Sequence, residues 1–341
     1  MSKYVLNTWY PLTWSRNVGR ELSAHRVVER DVVLFRSQEG RVVAMEDACP
    51  HRLLPLSMGR LKGDSIECGY HGLVFDCSGK CTRIPGQVLI SANAVVRTFP
   101  TYENMGLVWI WMGDPALADA SKVFDLPQYQ DSAWSAVEGD AQVYRTNYLN
   151  LCDNLCDPAH VSFVHQTTLG NSSGDNIPIQ HEQQYGKIVT WRYINDAPPI
   201  PLFAKYGNFS GNVDRWQYYH YYAPSITVVD AGCAPTGTGA EQGNRENCMQ
   251  LYGCHFMTPV DEETTIDHWL HVRNFAANPE LDSALSADFR VAFDEDRIIL
   301  EGISANEKRF THLKTIKLAI DAGPRRMRRV VDTMIEKESA L

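Results

Sequence analysis

CPHRLLPLSMGRLKGDSIECGYH, residues 49–71, carries two pairs of metal-binding side chains. One residue separates Cys49 from His51, two separate Cys68 from His71, and sixteen lie between the pairs. Each pair joins one thiol to one imidazole. Zinc accepts two Cys and two His in a tetrahedral site, although finger-type zinc sites tend to pair Cys with Cys and His with His. A [2Fe–2S] cluster with two thiolates on one iron and two imidazoles on the other takes one of each from each loop. Neutral imidazoles in place of thiolates lessen the negative charge on such a cluster and raise its reduction potential. Pro50 and Gly69 help to bend the loops.

Outward from this stretch the chain reads as β structure from residue 20 to 112. HRVVERDVVLFRSQEGRVVAMEDAC contains β-branched runs with a turn at SQEG, GLVFDCSGKCTRI is a hairpin turning at SGK, and GLVWIWMG is a further strand. Cys77 and Cys81, flanking the SGK turn, read as cross-strand neighbours rather than ligands. GDPALADASKV (113–123) is a connector rich in small and polar residues. It places a domain boundary between 1–118 and 119–341. The second part mixes helical spacing in NYLNLCDNLCDPAHVSFVH (147–165), strands within 185–230 and 248–275, a loop at 237–244, and a long helix at 281–310. The fold class is α+β, an antiparallel sheet carrying helices.

A second constellation lies in DNLCDPAHVSFVH. Asn154, Asp157 and His160 are spaced by three and share one side of a helix, while His165 follows five residues after His160. Five residues turn an ideal helix by about 140°. The two imidazoles therefore meet at one metal only if the helix widens or ends between them. Pro158 disturbs the local hydrogen bonding, and a π-bulge is another device for this. A packed or exposed histidine is the plain alternative. In the C-terminal helix, Phe289, Ala292, Phe293, Asp296, Ile299, Leu300 and Ile303 form one stripe, apolar except for Asp296. A buried carboxylate needs a cation or hydrogen-bond partners. A salt bridge supplies one. So does a metal held by two histidines and a carboxylate, the facial triad of non-haem Fe(II) oxygenases.

C-P-H-R with C-G-Y-H-G, and D-x2-H-x4-H followed by E-D-R-x2-L-E, resemble the Rieske non-haem iron oxygenases over nearly the whole chain. The resemblance implies a Rieske β domain plus a helix-grip catalytic domain. Cys49, His51, Cys68 and His71 would hold one [2Fe–2S] cluster per subunit, and His160, His165 and Asp296 one Fe(II). Asp157 would link that iron to His71 of the neighbouring subunit in a homotrimer, with Asn154 beside it in the catalytic set. NTWYPLTW, YHGLVFDCSGKCTRIPGQ, LVWIWMGDPALAD and LAIDAGPRRMRRVVDTM are similar to the aryl O-demethylase branch, which includes vanillate O-demethylase and dicamba monooxygenase. The chain departs from that branch at Cys156, where those relatives usually have Met, and in the aromatic strand WQYYHYYAP (216–224). Cys152 and Cys156 are one turn apart and read as packing. His255 matches a substrate-contacting histidine of dicamba monooxygenase. His220 alternates with Tyr218 and Tyr222 on one strand face and is a second candidate contact.

The implied activity is that of a terminal oxygenase. A flavin and iron–sulfur reductase, with or without a separate ferredoxin, delivers NAD(P)H electrons, and O2 oxidises a small aromatic acid. For a methoxybenzoate the products are a phenol and formaldehyde; hydroxylation of an aromatic methyl group or ring is the alternative. No dinucleotide fingerprint or plant-type ferredoxin spacing marks a reductase within the chain. With 44% hydrophobic residues the composition is that of a soluble globular protein, and the net charge of −9 argues against nucleic acid or anionic membrane as partner. No apolar run approaches the ~20 residues of a membrane span, and the N-terminus lacks a signal-peptide pattern, so the cytoplasm is expected. Nine cysteines, an odd number, argue against a disulfide framework.

Overall fold

The computed structural model describes residues 2–184, 187–245 and 248–340. The chain forms two compact units. The first runs to Asp125 and takes in Thr258–Asp261 and the end from Glu338; the second comprises Leu126–Met257 and Glu262–Lys337.

Short, strongly apolar strands build the first unit from three small sheets. Trp9–Trp14 and Leu107–Trp111 are buried along their whole length and pair antiparallel, with Thr101–Asn104 on the far edge. Ser23–Val27, Arg30–Arg36, Val42–Glu46 and Thr98–Phe99 form the second sheet. Its SQEG turn closes with the Gly40 N–H donating to the Ser37 carbonyl at 3.0 Å. Arg60–Lys62, Ser65–Glu67, Val74–Phe75 and Cys81–Arg83 form the third. Gly79 sits in its expected SGK turn at φ +79°, where a Cβ would also overlap the Val96 carbonyl, so only glycine fits. Cys81 registers opposite Phe75, and Cys77 lies exposed in the turn with Sγ 3.1 Å from the Asp64 carbonyl. The two cysteines are thus not cross-strand neighbours, because the turn consumes Cys77. Val33, Phe35, Met45, Leu56, Ile66 and Phe75 form a core around Cys49 and Cys68.

The second unit is a seven-stranded sheet in the order Ser135–Tyr144, Thr265–Arg273, Met249–Pro259, Ile226–Pro235, Val213–Tyr222, Lys187–Ala197, Gln180–Gln184. Tyr185 and Gly186, at the start of the predicted 185–230 strand region, lie outside the described residues. A long helix, Pro279–Arg309, supplies the apolar cover. Its start is well specified. Asn278 accepts from the Glu280 N–H at 3.0 Å, Pro279 occupies the first turn, and Glu280 and Asp282 face the positive end of the helix dipole. Leu285, Phe289, Ala292, Phe293, Asp296 and Leu300 are buried as one face. Ile299 and Ile303, expected on that stripe, are instead about half exposed at 46% and 45%. They flank the stripe formed by Leu285, Phe289, Ala292, Phe293, Asp296 and Leu300. Among the described residues no helix is long and apolar enough to cross a membrane.

The segment expected as one helix over 147–165 is broken. Tyr148–Asn154 is helical, capped by the Asn147 side chain; a turn follows through Pro158; then comes a single helical turn, Val161–Val164. Cys152 and Cys156 are buried in packing.

Candidate metal centres

Both loops of the first constellation make the same turn. The Cys49 N–H donates to Leu54 O at 2.9 Å and the Leu53 N–H to Cys49 O at 2.8 Å; Cys68 with Leu73, and Gly72 with Cys68, repeat this at 2.8 and 3.1 Å. The fourth residue after each cysteine is left-handed, Leu53 at φ +56° and Gly72 at φ +68°. The turns point Cys49 and Cys68 into the core, each 2% exposed, and leave His51 and His71 at the surface with ring centroids 4.6 Å apart. Burial, then the neighbouring Cys68 thiol, pushes the Cys49 thiol above its ordinary pKa, while backbone N–H groups of the loop oppose this. Thiols side by side within and imidazoles side by side without is the donor set of a cluster ligated by sulfur at one end and nitrogen at the other.

The break at Pro158 decides the second constellation. His160 and His165 sit at the two ends of the single turn Val161–Val164, rather than on opposite sides of a continuous helix. Asp296 reaches them from the long helix. His165 Nε2 lies 3.2 Å and His160 Nε2 3.6 Å from Asp296 Oδ1. The ligand atoms of the three residues all fall within 4.8 Å of one another, the one such grouping of three or more among the described residues. Cis ligands about 2 Å from a shared ion stand roughly 3 Å apart. Each imidazole is held from behind. His160 Nδ1 lies 2.5 Å from the Asp157 carbonyl, and His165 Nδ1 lies 2.8 Å from Glu295 Oε2. Both contacts place the ring proton on Nδ1 and leave Nε2 free for a metal. Asn154 Nδ2 donates to Asp296 Oδ1 at 3.0 Å. Burial pushes Asp296 up, but His165, His160 and Asn154 outweigh it and hold the carboxyl below its usual range. Burial lowers His165, yet Asp296 and Glu295 leave it raised. Asp157 is raised by burial, and its Oδ1 accepts from the Ala159 N–H at 2.8 Å.

A cavity opens beside this triad, walled by Leu202, Phe203, Leu251, Trp269, Phe289 and Phe293. His255 lines it, with Nδ1 2.7 Å from Asp267 Oδ2. His220 does not. From Val213–Tyr222 the cavity is lined by Arg215, Trp216, Gln217 and Tyr219, whereas His220 stacks on Tyr218 at 5.8 Å away from it. The loop at 237–244 packs its Ala240 against Trp216.

Residues 8–100 match the Rieske [2Fe–2S] domain model, and residues 144–337 match the vanillate O-demethylase oxygenase C-terminal domain model. The latter alone spans more than half of the chain. This chain belongs to the Rieske oxygenase family. It is 36% identical to the toluene-4-sulfonate monooxygenase system iron–sulfur subunit of Comamonas testosteroni, over 98% of each chain. It is 33% identical to a vanillate O-demethylase oxygenase subunit of Pseudomonas sp. strain ATCC 19151, over 91% of this chain and 95% of that one. A crystal structure of dicamba monooxygenase with non-heme iron and dicamba superposes with a TM-score of 0.83 at 28% identity, over 99% of each chain.

The protein is therefore an iron-dependent oxidoreductase, the oxygenase component of a multicomponent Rieske system, with a [2Fe–2S] cluster and a mononuclear non-haem iron as cofactors. The residues fit both groups. The paired thiols of Cys49 and Cys68 and the paired imidazoles of His51 and His71 would hold the cluster. Two backed imidazoles and one carboxylate, His160, His165 and Asp296, would hold the iron beside the cavity. Two groups at this site escaped the sequence. Glu295 falls off the apolar stripe and reads as an exposed acid, and Arg215 sits unmarked among aromatic residues. Only the E-D pair beside Asp296 hinted at the first.

Proposed function

We propose that this oxygenase demethylates a methoxylated aromatic acid such as a methoxybenzoate. One oxygen atom of O2 enters a methyl C–H bond and the other leaves as water, with two electrons from NAD(P)H; the hemiacetal then releases formaldehyde and leaves the phenol. The observation that carries this reading is a two-histidine, one-carboxylate triad opening onto an apolar cavity lined by aromatic rings. In this reading Cys49, His51, Cys68 and His71 hold the cluster within residues 1–118. His160, His165 and Asp296 hold the iron within 119–341. The bound iron supplies O2 activation. Asn154 fixes the Asp296 carboxylate. Asp157, whose carbonyl backs His160, joins that side of the site to His71 of a neighbouring subunit in a homotrimer. His255 contacts the substrate, and Phe289, Phe293 and Trp269 exclude water and orient the ring. A cytoplasmic flavin and iron–sulfur reductase, with or without a ferredoxin, is the electron donor.

The test uses iron-replete protein, a surrogate Rieske-oxygenase reductase, NADH and a panel of methoxybenzoates, methylbenzoates and benzoates. Formaldehyde stoichiometric with NADH, abolished in Asp296→Ala, is the expected result. A hydroxylated product without formaldehyde retires demethylation. The 36% identity to a toluene-4-sulfonate monooxygenase subunit, slightly above that to the vanillate enzyme, favours methyl hydroxylation as the second reading. It predicts a benzylic alcohol from a methyl-substituted arene acid.

A further inference from the structure

The cavity wall holds one charge without a counter-charge. Arg215 lies in the strand Val213–Tyr222, lines the cavity and is 3% exposed. A guanidinium has five N–H donors. Among the described residues a single one meets an acceptor, Nη2 at 2.9 Å from Asn171 Oδ1. The Nε is buried with no partner. The other two fully buried arginines differ. Arg273 is paired with Asp282, and Arg192 donates to Gln217, Gly174 and Ser162. The charged neighbour of Arg215 is Arg192, a second cation, rather than a carboxylate. Burial first, then Arg192, draws the Arg215 pKa down to about 10, which leaves it charged at neutral pH.

A buried cation without a partner costs stability that pairing with an anion returns. The wall around it is mostly apolar, and among the described residues no carboxylate forms an ion pair with it. One more donor faces the same space. Gln217 Oε1 accepts from Arg192 Nε at 2.7 Å, which directs the amide nitrogen of Gln217 elsewhere, and that nitrogen has no acceptor among the described residues. The strand pleat explains why these groups converge. Arg215 and Gln217 are two apart and share one face of the strand.

We propose that Arg215 is the anion anchor of the substrate cavity. The substrate is an arene bearing one oxyanion group, a sulfonate or a carboxylate, seated on the Arg215 fork with Gln217 as a supporting donor. The fork matches two oxygens of either group at once. This rests on the oxygenase reading of the cavity, but not on whether the reaction is demethylation or hydroxylation.

Equilibrium binding to the purified, metal-loaded protein tests it without turnover. The probes are toluene-4-sulfonate, 4-methoxybenzoate and the neutral 4-methoxybenzamide, titrated calorimetrically. Arg215→Met is expected to weaken both anions by roughly 30- to 1,000-fold and to leave the amide unchanged. Arg215→Lys, which keeps the charge but loses the fork, is expected to fall between. The melting temperature of substrate-free Arg215→Met should equal or exceed that of the parent, because an unpaired buried charge has been removed. The ratio of sulfonate to carboxylate affinity identifies the natural head group. Anion binding unaltered in Arg215→Met overturns the proposal. So does equal loss of anion and amide with a lowered melting temperature, which marks a purely structural arginine. Failure of the parent protein to bind either anion also overturns it, whereas formaldehyde release judges the demethylation reading separately.

Discussion

Glu295 shows how one side chain governs a metal ligand it does not replace. Its Oε2 accepts from His165 Nδ1 at 2.8 Å and from Thr168 Oγ1 at 3.0 Å, fixing the imidazole so that Nε2 faces the triad. Glu295→Ala should weaken iron binding by about 10- to 100-fold while leaving the visible spectrum of the [2Fe–2S] cluster intact. Competition with an Fe(II) chelator reads the first and absorbance the second; unaltered iron affinity rules the role out. His220 makes a different kind of prediction. Burial, then Lys187 and Arg245, lowers its pKa from 6.5 to about 4. Above pH 6.5 the ring is neutral in both folded and unfolded chains. As pH falls from about 6.5 to about 4, the unfolded chain takes up a proton that the folded chain refuses, so stability declines across that window. His220→Phe should recover on the order of 1–3 kcal/mol at the acid end and flatten this part of the pH dependence in denaturant titrations. A variant with the parent's slope would show that the ring protonates in place.

At the scale of elements, the decisive event is the interruption of a helix. Spacing alone made His160 and His165 incompatible with one continuous helix, and Pro158 marked where the conflict would be resolved. The form of the resolution was not legible. Asn154 ends the first helix, and the two histidines flank a single later turn. The aromatic strand was legible as a strand but not by face, because WQYYHYYAP is aromatic on both sides and alternation gives no preference. Packing put Arg215, Trp216, Gln217 and Tyr219 at the cavity and His220 away from it. Gly139 belongs to this scale as well. It lies where the pairing of Ser135–Tyr144 with Thr265–Arg273 shifts register, and a Cβ there would overlap the Trp269 ring, which lines the cavity. Gly139→Ala should cost about 1–3 kcal/mol, seen as a lower melting temperature, together with weaker binding of toluene-4-sulfonate or 4-methoxybenzoate. Full stability in the variant would mean that Trp269 moves aside freely.

At the scale of the whole molecule, the ends of the chain are tied into the first unit. The backbone N–H groups of Leu6 and Asn7 both donate to the Glu338 carboxylate at 2.7 Å, which joins the two ends of the chain within the first unit. The proposed transfer of electrons between subunits also belongs here. His71→Ala and Asp296→Ala should each be inactive alone, one failing at the cluster and the other at the iron. Reassembled together, they should regain a measurable fraction of NADH-dependent product formation if the cluster of one subunit serves the iron of another. An inactive mixture of demonstrably mixed oligomers would restrict transfer to a single subunit and remove the proposed role of Asp157.

The sequence by itself determined the cofactor chemistry and the fold class of this protein. Paired Cys and His in two loops, a His-x4-His pair after an Asp, and a lone carboxylate on an apolar stripe are local patterns, and donor type and spacing restrict the metals they suit. Tertiary structure alone decided what surrounds those donors. It brought Asp296 to His165 across 131 residues (296 − 165), set Glu295 behind the ring, turned His220 away, and left Arg215 buried without a carboxylate. Ligand spacing within a loop is set by a few adjacent dihedral angles. Burial and the pairing of charges depend on which distant surfaces pack together, and local sequence patterns do not encode that choice.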